Sequence, residues 1–202
     1  NFTKSPLEQI KFKETTERPV LNNFNFHQDF DGDGTPDRFY IQGYSVVVKN
    51  TTLQFNSAII INADDLNNDG LCDLVVLQTG VPIKIYTNIT RLGEDTVKFS
   101  APITYPLTSN YSGQSFCIAD IDNDNRKDII VGPIDINTTN INLCRNTTVG
   151  ANITFASPAT FNTGYLSIVN ISAIDLNNDG YLDLIALCEQ TSQKGKIFFF
   201  TN

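Results

Sequence analysis

Apolar residues in this chain come in short runs, set off by polar stretches rich in Asp and Asn. "RFYIQG", "DLVVLQTG", "DIIVGPI" and "DLIALC" each follow directly on such a stretch. A second run comes after each: "YSVVVKN", "VPIKIYTN", "INLCRN" and "GKIFFFTN". A third form recurs as "LQFNSA" at Leu53, "VKFSAP" at Val97 and "ITFASP" at Ile153, and the run leading into the next acidic stretch reads "SAIIINAD", "SFCIAD" or "LSIVNISAID". The runs are strand-length, rich in β-branched and aromatic residues, and bounded by turn formers. No 3.6-residue period sustains a helix. The predicted unit is strand, acidic loop, strand, turn, strand, turn, strand.

The acidic stretches are copies of one another. "DFDGDGTPD" spans 29–37, "DLNNDGLCD" 65–73, "DIDNDNRKD" 120–128 and "DLNNDGYLD" 175–183, with starts 36, 55 and 55 residues apart. That spacing is too long for paired EF-hands and fits one multi-strand unit per copy. Four short antiparallel strands per repeat predict an all-β chain, a single β-propeller domain of four blades over residues 1–202. At the N-terminus "IKFKET", within an expected strand at about 8–15, matches "VKFSAP" and "ITFASP", whereas the fourth unit stops at "GKIFFFTN", one strand short. The N-terminal strand is therefore expected to complete the last blade and cover its edge, within one molecule or between molecules. Between molecules it would build a dimer, or a filament if the operation does not close.

Within each copy, alternate positions carry oxygen donors. Positions 1, 3, 5 and 9 are Asp29, Asp31, Asp33 and Asp37 in the first loop, and Asp65, Asn67, Asp69 and Asp73 in the second. They are Asp120, Asp122, Asp124 and Asp128 in the third, and Asp175, Asn177, Asp179 and Asp183 in the fourth. Alternate donors in a tight loop converge on a point, which suits the six to eight oxygens calcium takes. Position 7 is Thr35, Leu71, Arg126 or Tyr181, so only its carbonyl is expected to serve. Position 6 is Gly34, Gly70 or Gly180, with Asn125 in the third loop, all residues that tolerate a left-handed turn. An EF-hand needs Glu at position 12, where this chain has Tyr40, Val76, Val131 and Ala186. Magnesium, which resists all-protein cages, fits less well, so calcium is expected, up to four structural ions; Asp and Asn serving simply as turn formers is the alternative.

A strand, D-x-[DN]-x-[DN]-G-x-x-D and an aliphatic strand, repeated at blade spacing, resemble the FG-GAP/VCBS repeats of the integrin α-subunit propeller and related extracellular propellers. The resemblance covers almost the whole chain. It implies a propeller with one calcium in each loop, and adhesion, ligand binding or structural roles rather than catalysis. Two departures stand out. Propellers of this family commonly have seven blades and this chain supplies four, and Asn125 with Arg126 and Lys127 implies a weaker calcium in the third loop.

Charge and composition narrow the function. The formal charge is −8, which argues against a nucleic-acid partner, and 14 of the 22 acidic residues lie inside the four loops. No apolar run approaches the ~20 residues of a membrane helix. Sequons stand at Asn1, Asn50, Asn88, Asn110, Asn137, Asn146, Asn152 and Asn170. Chance would give about four. Together with an even set of cysteines, Cys72, Cys117, Cys144 and Cys188, they suggest a secreted or cell-surface glycoprotein. The expected disulfides are Cys72 with Cys117 and Cys144 with Cys188, four buried thiols being the alternative; some sequons could be turn chemistry alone. His27 is the single histidine, and no G-x-S-x-G nucleophile motif is present. The expected function is non-catalytic: a calcium-stabilised module for adhesion or assembly, with a protein or glycan ligand, or copies of itself, as partner. The alternatives are a lectin, with Tyr44, Tyr105 and Tyr111 stacking on sugar, and a propeller hydrolase with structural calcium.

Overall fold

The computed structural model describes residues 25–57, 59–108, 115–132, 139–162, 164, 168–190 and 193–202, without the side chains of 25–27, 108, 188–190 and 193–196. The N-terminal strand expected at about 8–15 lies outside the described residues, as do Asn1, Asn110, Tyr111 and Asn137 and the side chains of His27 and Cys188.

Every described element is a strand, in four antiparallel sheets that follow one another along the chain. Sheet I is β1 (Asn25–Gln28), β2 (Asp37–Gln42), β3 (Ser45–Val48) and β4 (Thr51–Gln54). Sheet II is β5 (Ile59–Asp64), β6 (Asp73–Gln78), β7 (Val81–Tyr86) and β8 (Ile103–Thr108). Sheet III is β9 (Phe116–Ala119), β10 (Asp128–Val131), β11 (Asn140–Cys144) and β12 (Ala159–Asn162). Sheet IV has three described strands, β13 (Ile168–Ile174), β14 (Asp183–Gln190) and β15 (Gln193–Phe200), which leaves β15 at its edge. In each sheet an acidic loop, numbered I to IV with its sheet, joins the first strand to the second.

In sheet I the expected segment at Leu53 overlaps the fourth strand, but in sheets II and III the sequence placed that strand one segment too early. "VKFSAP" and "ITFASP" make only the isolated bridges Asn88↔Phe99 and Asn146↔Phe155, and the fourth strands are β8 and β12 beyond them. Tertiary packing decides this. Val97 and Ile153 turn inward, 1% and 3% exposed, and fill the joint to the preceding sheet.

Three clusters fill the three joints between consecutive sheets. Phe30, Phe39, Val46 and Val48 of sheet I meet Ile61, Leu74 and Val76 of sheet II, with Phe30 edge-on to Phe39 at 5.1 Å. The opposite face of β6, Val75 and Leu77, meets Ile129 and Val131 of sheet III. Alternation along a strand sends neighbours to opposite faces, so β6, covered on both sides, is buried at all six positions. A third cluster joins Ile130 and Ile141 of sheet III to Ile171, Leu184 and Ala186 of sheet IV. Among the described residues nothing covers the other face of sheet IV, where Leu187, Ile197 and Phe199 are exposed. Each side chain buried at a joint contributes about 1.5–3 kcal/mol over leaving it in water.

Candidate metal centres in the acidic loops

The four loops share one backbone. The Asp at position 1 folds the loop over its carboxylate: Asp29 accepts from the N–H groups of Gly32 and Gly34 at 2.7 and 2.8 Å. Asp65 accepts from Asp69 and Gly70, Asp120 from Asp124 and Asn125, and Asp175 from Asn178, Asp179 and Gly180. Wrapping so tightly takes two left-handed residues, at positions 4 and 6. They are Gly32 and Gly34, Asn68 and Gly70, Asn123 and Asn125 (φ 57 and 64), and Asn178 and Gly180. The sequence pointed to position 6 and missed position 4, though its Gly/Asn alternation was the available signal. At position 7 the N–H of Thr35, Leu71, Arg126 or Tyr181 donates to the position-5 carboxylate, at 2.8 or 2.9 Å.

The Asp at position 9 is the buried anchor. Asp73, Asp128 and Asp183 are 0% exposed and Asp37 6%. Each accepts from the N–H of position 2, namely Phe30, Leu66, Ile121 or Leu176. In loops II to IV the second oxygen accepts from the backbone N–H just past the sheet's third strand, that of Asn88, Asn146 or Asn202 at 2.8, 2.7 and 2.8 Å. Burial pushes the Asp73 carboxyl up to about 7 and the Asp128 carboxyl up to about 6, and neighbouring aspartates push the same way.

The loops differ in where cations sit. In loop I the carboxylates of Asp29, Asp31 and Asp37 lie within 4.8 Å of one another. The Lys49 ammonium binds Asp31 and also Asp37, the latter at 2.9 Å, and those two carboxylates raise its pKa. In loop III Asp120, Asp122 and Asp124 form a second group within 4.8 Å. There Arg145 binds Oδ2 of Asp122 and Arg126 binds Oδ2 of Asp124, while Oδ1 of Asp122 is buried without a hydrogen-bond partner. At position 7 the side chains of Arg126 and Thr35 thus also bond the position-5 carboxylates, Asp124 and Asp33. In loops II and IV the amides of Asn67 and Asn177 donate to Asp69 and Asp179 at 2.9 and 2.8 Å.

Asparagines also tie the units together. The Asn88 amide donates to the carbonyl of Phe30 in the preceding loop at 2.7 Å and to that of Cys72 in its own loop at 3.1 Å. Asn146 repeats this with Leu66 and Lys127, both at 2.9 Å, and Asn202 reaches Ile121 at 2.7 Å. Higher on the loops, Asn68 donates to the Asn125 carbonyl and Asn123 to that of Gly180, at 3.0 and 2.9 Å. Two expected glycan acceptors are thereby corrected. Asn88 and Asn146 are 1% and 0% exposed with their amides fully engaged. Their "N-x-T" is turn chemistry, because Oδ1 accepts from the N–H of Thr90 or Thr148 two residues on. Asn50, Asn152 and Asn170 are exposed.

A strand, a loop folded on its first Asp and anchored by its ninth, and a second strand recur in all four units, twice within one segment of the chain. Residues 65–131 match the FG-GAP-like repeat family. The match runs from the first residue of loop II to the last residue of β10, so it holds two acidic loops and the joint between sheets II and III. FG-GAP-like repeat domains are generally non-catalytic. No curated protein matches the chain.

The FG-GAP-like segment also contains the cysteines Cys72 and Cys117, and both are free thiols, as is Cys144. The expected Cys72–Cys117 bridge is not formed. Cys72 packs in the joint between sheets I and II, and Cys117 in that between III and IV. Cys144 is buried in the joint between them, and burial pushes all three thiols up to about 12. Tyr105, a candidate for sugar stacking, is 7% exposed and donates its hydroxyl to the Ala156 carbonyl, whereas Tyr44 is exposed. Among the described residues, no helix is long and apolar enough to cross a membrane.

Proposed function

We propose that this chain is a non-catalytic, calcium-stabilised module of β-propeller type that works outside the cell in adhesion or structural assembly. The observation that carries the calcium reading is loop III, where three carboxylates converge and Oδ1 of Asp122 is buried with no partner. A buried carboxylate oxygen without a donor costs free energy that a cation at that point would recover. Oxygen donors alone, on a loop already held by its own backbone, suit calcium better than a transition metal. Asp120, Asp122 and Asp124 would hold the ion, with the other loops using the corresponding donors. Bound there, calcium would supply positive charge beside the buried carboxyl of Asp128. Asn50, Asn152 and Asn170 are the glycan acceptors that suit this setting.

The assembly reading is favoured by sheet IV. Its edge strand β15 and its exposed Leu187, Ile197 and Phe199 form the kind of surface that takes up a further strand or sheet. Terbium titration tests the metal reading, because Tyr181 at position 7 of loop IV is placed to sensitise the lanthanide. Luminescence that rises with terbium and is displaced by calcium is the expected result; a flat response removes the reading. Sedimentation of the chain with and without residues 1–18 tests assembly, and a monomer unchanged by the deletion removes that part.

A further inference from the structure

We infer that loop I is closed by Lys49 and takes no metal ion, so that the chain's calcium goes to the other acidic loops. This rests on the calcium reading above and divides its loops into two kinds. By sequence, loop I is as strong a candidate as loop III, since each has Asp at positions 1, 3, 5 and 9. The difference comes from the far side of the sheet. In sheets II and III the chain leaves the third strand through a long segment before β8 or β12, and the Asn at the start of that segment gives its backbone N–H to the position-9 Asp. In sheet I, β3 and β4 are joined by Lys49 and Asn50 alone, with Lys49 in a left-handed conformation at φ 46. That tight corner turns the lysine side chain onto the loop. Its Nζ lies 2.9 Å from Oδ1 of Asp37, the oxygen that takes a backbone N–H in the other loops.

The ammonium therefore sits between positions 3 and 9 and bonds both carboxylates, whose side chains are 7% and 6% exposed. Calcium needs six to eight oxygens at about 2.3–2.6 Å. An ammonium on two of those donors fills the space and repels a dication. The arginines of loop III act differently, because each binds an Oδ2 and Oδ1 of Asp122 is left without a partner. The residue before the recurring corner Asn reads Lys49, Thr87, Arg145 and Thr201 through the four units, and position 3 of the loops reads Asp31, Asn67, Asp122 and Asn177. An acid at position 3 thus comes with a base at the corner, and an amide with a threonine. Lys49 binds Asp31 across 18 residues of sequence, and Arg145 binds Asp122.

Native mass spectrometry of the calcium-loaded protein tests this. Lys49→Met should carry one more calcium than the unmodified chain, and Lys49→Arg the same number. Should Lys49→Met fail to fold, the double variant Asp31→Asn with Lys49→Thr recreates the pair found as Asn67 with Thr87 and should likewise gain one ion. An equal, non-zero count in the unmodified chain and in the charge-removing variant overturns the inference alone. No calcium in any of the proteins overturns the calcium reading and this inference together.

Discussion

Loops I and III begin with aspartates at the same four positions and meet their basic residues in different ways. In loop I a lysine enters from the corner of its own sheet and bonds the carboxylates from within. In loop III two arginines, at position 7 and at the strand end, bind Oδ2 atoms and leave a buried oxygen without a partner. A count of acidic residues cannot separate the two. The seat of the corner base does: Lys49 bonds positions 3 and 9 together, whereas Arg145 reaches position 3 alone and the Asn146 N–H takes position 9.

The largest expected effect is calcium removal. Saturated sites at a hundred times Kd contribute about 2.7 kcal/mol each. For a chain of this size each kcal/mol moves Tm by about 2–4 °C, so chelation at three filled loops should lower Tm by about 15 °C or more in calorimetry. Hydrogen exchange sharpens the contrast. Chelation should unprotect the amides of Gly70, Asn125 and Gly180 and leave that of Gly34 as it was. Equal loss at all four would erase the distinction between the loops.

Next comes the buried anchor. Asp128→Ala strands the backbone N–H groups of Ile121 and Asn146, and at about 1–3 kcal/mol per unsatisfied donor should cost about 2–6 kcal/mol in urea unfolding. A cost below about 1 kcal/mol would mean that water replaces the carboxylate. Asn146→Ala follows, losing two amide bonds across a joint for about 1–3 kcal/mol, whereas Asn50→Ala at an exposed corner should stay within about 0.5 kcal/mol. Equal effects at the two asparagines would remove the joint as the explanation. Smallest is position 6 of loop III. Asn125→Ala, at φ 64, should cost about 1 kcal/mol, and Asn125→Gly should be nearly neutral.

The local parts of the architecture were legible in the sequence. Each acidic nonapeptide is a loop, and "RFYIQ", "DLVVLQ", "DIIV" and "DLIALC" lie in the strands that follow. Alternation and turn residues encode such features within a few positions. What escaped depends on contacts made far along the chain. "VKFSAP" reads as a strand and is instead a plug, because Val97 finds its neighbours in sheet I. "NIT" and "NTT" read as glycan acceptors, because an Asx turn needs the same residue types. Only the carbonyls of Phe30 and Leu66, 58 and 80 residues earlier, show that these amides face inward. The pairing of Lys49 with Asp31 was hidden for the same reason, although both residues stood in plain view in their repeats.

The ties made by the corner asparagines Asn88, Asn146 and Asn202 point backward along the chain. The Phe30 carbonyl waits 58 residues for Asn88, and that of Leu66 waits 80 for Asn146. On a ribosome adding about 5–20 residues per second, the first of those intervals lasts about 3–12 s. Each loop is therefore sealed only after the following unit has been made, and the growing chain always carries one unfinished joint. By the end of that interval both acceptors of the Asn88 amide, the carbonyls of Phe30 and Cys72, are already made and await only the corner that brings the amide to them.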